Sequence, residues 1–193
     1  MSRGGGRGKD SSVGATRVAE SALLGLGAAW GLYLTRNGVA VSPDSGAYLA
    51  GSQSLMESLS YTGMDGEPIS SWPPGYPMFL ALVSLTGVDW LLAAKSLNVV
   101  CLAVAAALIF RLARDITGST PVAGALAAAA VLSEPYAVVT RYAWSEPLFI
   151  AVSTTALYLL ANGRLGGPRV AAIVFLLALS TLIRIAALPF VMV

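Results

Sequence analysis

Three charged residues in this chain sit where charge is uncommon. Asp44, in "VSPDSGAYLA", comes just after a long apolar run and a proline. Glu146 opens a second apolar run in "RYAWSEPLFIA", and Arg184 stands alone in "LLALSTLIRIAALPF". A held, ionised carboxylate can take a proton from a hydroxyl, and a guanidinium can pair with a phosphate. The chain contains no histidine, so neither a Ser-His-Asp triad nor an imidazole zinc site is open to it. Any chemistry must use carboxylates, guanidiniums, hydroxyls or a cation held by oxygen. Each residue also has a plainer reading. Asp44 suits the first turn of a helix, Arg184 can snorkel to the outer surface, and Glu146 can pair with Arg141 across Trp144.

The elements that must carry these residues follow from composition. Of 193 residues, 56% are hydrophobic and only 11% charged, against about a quarter charged in a soluble domain. Such a chain calls for lipid as part of its solvent. A net charge of +2 with no basic block interleaved with aromatics excludes nucleic acid as a partner. The single cysteine, Cys101, lies inside an apolar run and has no intrachain disulfide partner. "GGGRGKD" fails the spacing of a phosphate-binding loop, with Arg3 in place of the first glycine and Asp10 in place of Ser/Thr.

A hydrocarbon core of about 30 Å needs roughly 20 helical residues. Runs at 18–36, 90–110, 119–133, 144–161 and 170–191 are predicted as spans, preceded by a disordered basic tail over 1–17. The run 75–87 follows a Pro-Pro break and reads as an interfacial or re-entrant helix, with a short true span as the competing reading. With the N-terminus in the cytoplasm, Arg3, Arg7, Lys9, Arg17, Arg111, Arg114, Arg164 and Arg169 fall inside, as the positive-inside rule requires. Asp44, Glu57, Asp65, Glu67, Asp89, Glu134 and Glu146 then fall outside. The expected fold is all-α, a polytopic helical bundle with interfacial helices at about 43–60 and 75–87 in a first outer loop, 37–89. Ser42 suits the cap of the first of these helices, Pro43 its first position, and Asp44 the turn where the helix dipole favours negative charge. Trp72 and Tyr76, in "WPPGYP", are aromatics suited to the lipid–water boundary.

The order of these motifs resembles the N-terminal part of the GT-C glycosyltransferases, integral membrane enzymes that use polyprenyl-phosphate-linked sugars. The motifs are "PDSGAYLAGSQSLMES", "GEPISSWPPGYPMFLALVSLTG", a span ending "FRLARD", "RYAWSEPLFIA" and "LIRIAALPF". The nearest branch is the one holding protein O-mannosyltransferases and the lipid A aminoarabinose transferase, and the resemblance covers nearly all of 18–193. It implies transfer of a sugar to an acceptor hydroxyl outside the cytoplasm, with inversion. Asp44, in an Asp-x-x-x-Tyr stretch, matches the general base, Glu146 a second carboxylate associated with acceptor or metal, and Arg184 a phosphate contact. Tyr48, Arg141 and Tyr76 complete the expected substrate-binding set. Relatives often carry an acid-Lys pair before the prolines where this chain has Ser71-Trp72, leaving Glu67 as the nearest residue for a divalent cation. Relatives are two to three times longer, so the resemblance implies the N-terminal portion of an enzyme or one chain of a split one. The implied partners are the lipid-linked donor, membrane lipids, and an acceptor protein, lipid or polysaccharide; a second chain would supply the remainder. The implied location is a prokaryotic plasma membrane. The alternative is a noncatalytic assembly or lipid-binding subunit.

Overall fold

The computed structural model describes residues 6–185, with side chains from residue 14. Among the described residues every regular element is an α-helix: α1 Gly6–Leu34, α2 Pro43–Ser58, α3 Gly75–Ser84, α4 Trp90–Thr117, α5 Thr120–Val131, α6 Glu134–Arg141, α7 Glu146–Ala161 and α8 Gly167–Ile183. α4 is the axis of the bundle, packed by α1, α5 and α7, while α8 lies on α7 and α2 on α3. Among the described residues, α4 alone is long and apolar enough to cross a membrane; α5 and α6, which meet at a 48° bend, would together make a second crossing.

Small residues allow α1 to lie against α4. A Cβ at Gly27 would fall 2.8 Å from Ala103 Cα and one at Gly31 3.2 Å from Val99 Cα, so the two backbones touch. Packing of this kind depends on close approach rather than on side-chain bulk. Glu20, the one acid in the apolar part of α1, meets Arg111 of α4 at 2.5 Å. The same guanidinium lies over the Tyr158 ring of α7, 5.6 Å from its centroid. Arg111 and Asn98 of α4 are roughly 20 Å apart along the helix axis, so this ion pair marks the end of the bundle away from the α6–α7 connection that Asn98 binds.

Two buried clusters result. Leu23, Leu102, Ala106, Phe110, Ala123 and Val131 join α1, α4 and α5. Tyr48, Tyr76, Leu80, Ala94, Leu148 and Ile183 join α2, α3, α4, α7 and α8. The candidate site sits on the second.

Several boundaries differ from the sequence prediction. The tail expected to be disordered over 1–17 is helical from Gly6; once a long helix exists, each added residue needs only one further hydrogen bond and no new nucleus. Residues 1–5 lie outside the described residues. α4 continues past the predicted span end at 110 through "RLARDIT", because Arg114 suits the negative end of the helix and Gly118 supplies the left-handed cap at φ 66°. α8 stops at Ile183, short of the predicted end at 191, because Arg184 takes an extended backbone (φ −155°, ψ 127°); residues 186–191 of that predicted span lie outside the described residues. The stretch "EPYAVVTR", which falls between the predicted spans 119–133 and 144–161, is the helix α6.

Candidate active site

α2 is built to hold a carboxylate at its start. Ser42 and Ser45 form a reciprocal capping box, with the Ser45 N–H donating to Ser42 Oγ at 3.3 Å and the Ser42 N–H donating to Ser45 Oγ at 3.1 Å. Pro43 opens the helix, and Asp44 follows in its first turn, exposed to solvent. One turn later Tyr48 is buried, with 4% of its surface exposed. Its hydroxyl lies 3.1 Å from Ser145 Oγ, and its ring meets Tyr76 edge-on at 5.1 Å.

Arg184 reaches the same place from α8. Its Nη1 lies 2.7 Å from Glu146 Oε1 and donates to Ser145 Oγ at 3.5 Å. The extended backbone at Arg184 turns the side chain off the helix path toward the first turn of α7, where the dipole favours Glu146. Asp44, Tyr48, Ser71, Trp72, Pro73 and Arg184 line one open cleft of about 250 Å³. It therefore combines a solvent-facing carboxylate, a guanidinium and a phenol. Burial pushes the Tyr48 phenol up; the Ser145 hydrogen bond opposes the shift, Glu146 and Asp44 add to it, and Arg184 opposes it. Tyr48 thus stays a neutral hydroxyl, able to donate or accept.

The connection between α6 and α7 ties these parts together. Ala40 donates to the Arg141 carbonyl at 2.7 Å, and the Ala143 N–H donates to the Ala40 carbonyl at 3.1 Å. Asn98 of α4 donates from below to the Thr140 and Tyr142 carbonyls, at 2.9 and 2.7 Å. Trp144 stacks on Tyr142 at 4.5 Å and donates its indole N–H to Ser42 Oγ at 2.7 Å.

The expected site residues separate into two groups. Asp44, Tyr48 and Arg184 share the cleft, and Glu146 joins them through Arg184. Tyr76 does not line it: the ring is fully buried beneath Tyr48, and the hydroxyl has no hydrogen-bond partner among the described residues. The amphipathic ring expected at the boundary supports the core instead. Arg141 is exposed at the end of α6, outside the cleft. It does not pair with Glu146, whose partner is Arg184. Arg184 accordingly has a counter-ion and does not stand alone. Glu67 is exposed on the turn after α2, lining a neighbouring hollow of about 530 Å³ with Asp65. Among the described residues no three acidic or thiol side chains converge on a cation site. Asp65 is the one acidic neighbour among them that shares the Glu67 hollow.

Ser145, Ser71 and Trp72 are site residues that sequence reasoning passed over. The sequence marks Ser71-Trp72 as a departure from the resembled family's acid-Lys pair, with nothing to place either in a site, yet both line the cleft. Nothing local distinguishes Ser145. α6, by contrast, was signalled by Ser133, Glu134, Pro135 and Arg141, a cap, an acid, a proline and a terminal base in order. No protein-family model, curated protein or solved structure matches this chain.

Proposed function

We propose that this chain is a membrane glycosyltransferase, or the N-terminal part of one, with a GT-C-like arrangement of spans. It transfers a sugar from a polyprenyl-phosphate donor to an acceptor hydroxyl outside the cytoplasm. One observation carries the reading: an exposed carboxylate and a guanidinium, from segments 140 residues apart in sequence, line one cleft. A lipid-linked sugar phosphate approached by a hydroxyl needs those two groups together. The sides of the bundle support a lipid setting, since Val100, Val174 and Phe175 are more than half exposed. The charged clusters Glu20–Arg111 and Glu146–Arg184 lie at its ends.

Asp44 accepts the proton of the acceptor hydroxyl as the oxygen attacks the anomeric carbon. The new C–O bond forms on the face opposite the breaking C–O bond to phosphate, which inverts the anomeric centre. The bonding electrons leave on the polyprenyl phosphate, whose charge Arg184 balances. Tyr48 donates a hydrogen bond beside them. Because Glu146 already holds Arg184, the incoming phosphate shares or displaces that partner. Glu146 thereby acts as the counter-ion of the anion site. Asp44→Asn keeps shape but removes the base, so transfer from radiolabelled polyprenyl-phosphate sugars in membranes falls about 10²- to 10⁴-fold. Turnover within a few-fold of wild type, at equal expression, removes Asp44 from the mechanism.

A further inference from the structure

We infer that Trp144 is a positioning residue that sets Asp44 against Arg184 by holding Ser42, the cap of the Asp44 helix, through its indole N–H. The inference rests on the transferase reading for its catalytic consequence, though the coupling itself does not depend on it.

Trp144, Ser145 and Glu146 are consecutive, and each touches a different part of the site. Trp144 Nε1 donates to Ser42 Oγ at 2.7 Å, Ser145 Oγ lies 3.1 Å from the Tyr48 hydroxyl, and Glu146 Oε1 lies 2.7 Å from Arg184. A single short segment thus bridges the start of α2 and the end of α8. Its own position is fixed from two sides. Asn98, fully buried, clamps the Thr140 and Tyr142 carbonyls, and Ala40 pairs with the same segment two residues before Ser42. The stacked Tyr142 ring limits how Trp144 can turn.

The bond to Ser42 is not needed for capping, because Ser42 Oγ already accepts from Ser45 N–H. Ser42 Oγ also lies 3.2 Å from Ser45 Oγ, and the indole adds the contact that comes from outside the helix. It holds the first turn of α2, and Asp44 within it, at a set place relative to Ser145 and Glu146. Asp44 is itself exposed and its carboxylate has no hydrogen-bond partner among the described residues, so its placement comes from the backbone of that turn.

Trp144→Phe removes the N–H and keeps an aromatic ring on Tyr142. Hydrogen exchange followed by mass spectrometry on the purified full chain should show the 42–48 amides exchanging about 2- to 12-fold faster. That is the loss of one net hydrogen bond expressed as an opening equilibrium. Peptides from α4 and α7 should be unchanged. Ser42→Ala in the Trp144→Phe background should add less than it does in wild type, as expected of residues sharing one bond. In the transfer assay kcat should fall about 10-fold or more, since small misplacements of reacting groups are costly. KM for the donor should stay within about 2-fold, because Glu146 and Arg184 keep their pairing. Unchanged exchange over 42–48, or full additivity of the two substitutions, overturns the coupling. Faster exchange with unchanged kcat overturns the positioning role. If wild type transfers no sugar, the transferase reading fails, while the exchange and additivity measurements still decide the coupling.

Discussion

Gly75→Ala tests how the end of α8 is held. A Cβ on Gly75 would lie 2.6 Å from both the carbonyl carbon and the oxygen of Leu182, and 2.8 Å from the Ile183 nitrogen. These are backbone atoms that cannot swing away as a flexible side chain would. Carbon–carbon contact begins at about 3.5 Å, so α3 and α8 must separate by roughly 1 Å at this point. The residue after Ile183 is Arg184, and the separation therefore moves the guanidinium's anchor, whereas Asp44 on α2 is held by other contacts. Overpacking of this kind costs about 1–3 kcal/mol, readable as a lower midpoint of thermal unfolding in detergent. A 1 Å error in placing a reacting group can reduce rate by about 10²-fold, so transfer should fall further than stability alone explains. The glycine between Pro-Pro and Tyr-Pro in "WPPGYP" is required by this approach. Binding of inorganic pyrophosphate, followed by calorimetry, should weaken with the displacement of Arg184. A variant with wild-type unfolding, pyrophosphate affinity and turnover would show that the two helices do not meet as described.

Other expectations follow from the same geometry. Glu146→Gln frees Arg184 from a partly exposed ion pair worth about 0.5–1 kcal/mol; pyrophosphate affinity should rise about 2- to 5-fold, and a loss of affinity would instead make Glu146 part of the anion site. Burial, with a smaller contribution from Tyr48, pushes the Tyr61 phenol up from 10.0 to about 12, and in its neutral form it donates to the Trp72 carbonyl at 2.9 Å. A raised folded value means its stabilising contribution is complete below pH 10.0 and disappears as pH rises through about 12. Phenolate absorbance should accordingly show a component near pH 12 that Tyr61→Phe removes; its persistence in that variant would assign it to another tyrosine.

The amino-acid pattern alone determined the local features. Ser42-Pro43-Asp44 marks the start of α2 because a cap, a proline and a first-turn acid each satisfy a different need of a helix N-terminus. Glu146-Pro147 marks the start of α7 through an acid and a proline alone, with no capping side chain. Apolar composition located α4 because a helix of that length has few solvents open to it. The partners of the charged residues were not legible. Glu146 has Arg141 five residues before it, but its partner is Arg184, and the acid in α1 finds Arg111 across the bundle. Pairing of this sort depends on which helix ends meet, and that follows from close packing at Gly27, Gly31 and Gly75 against backbone far away in sequence. Tyr76 shows the same limit: its ring could face either lipid–water boundary or core, and only the packing of α3 beneath Tyr48 decided for the core. Spacing along the chain governs what a helix end needs, whereas the neighbour a side chain meets is set by three-dimensional packing that no local pattern encodes.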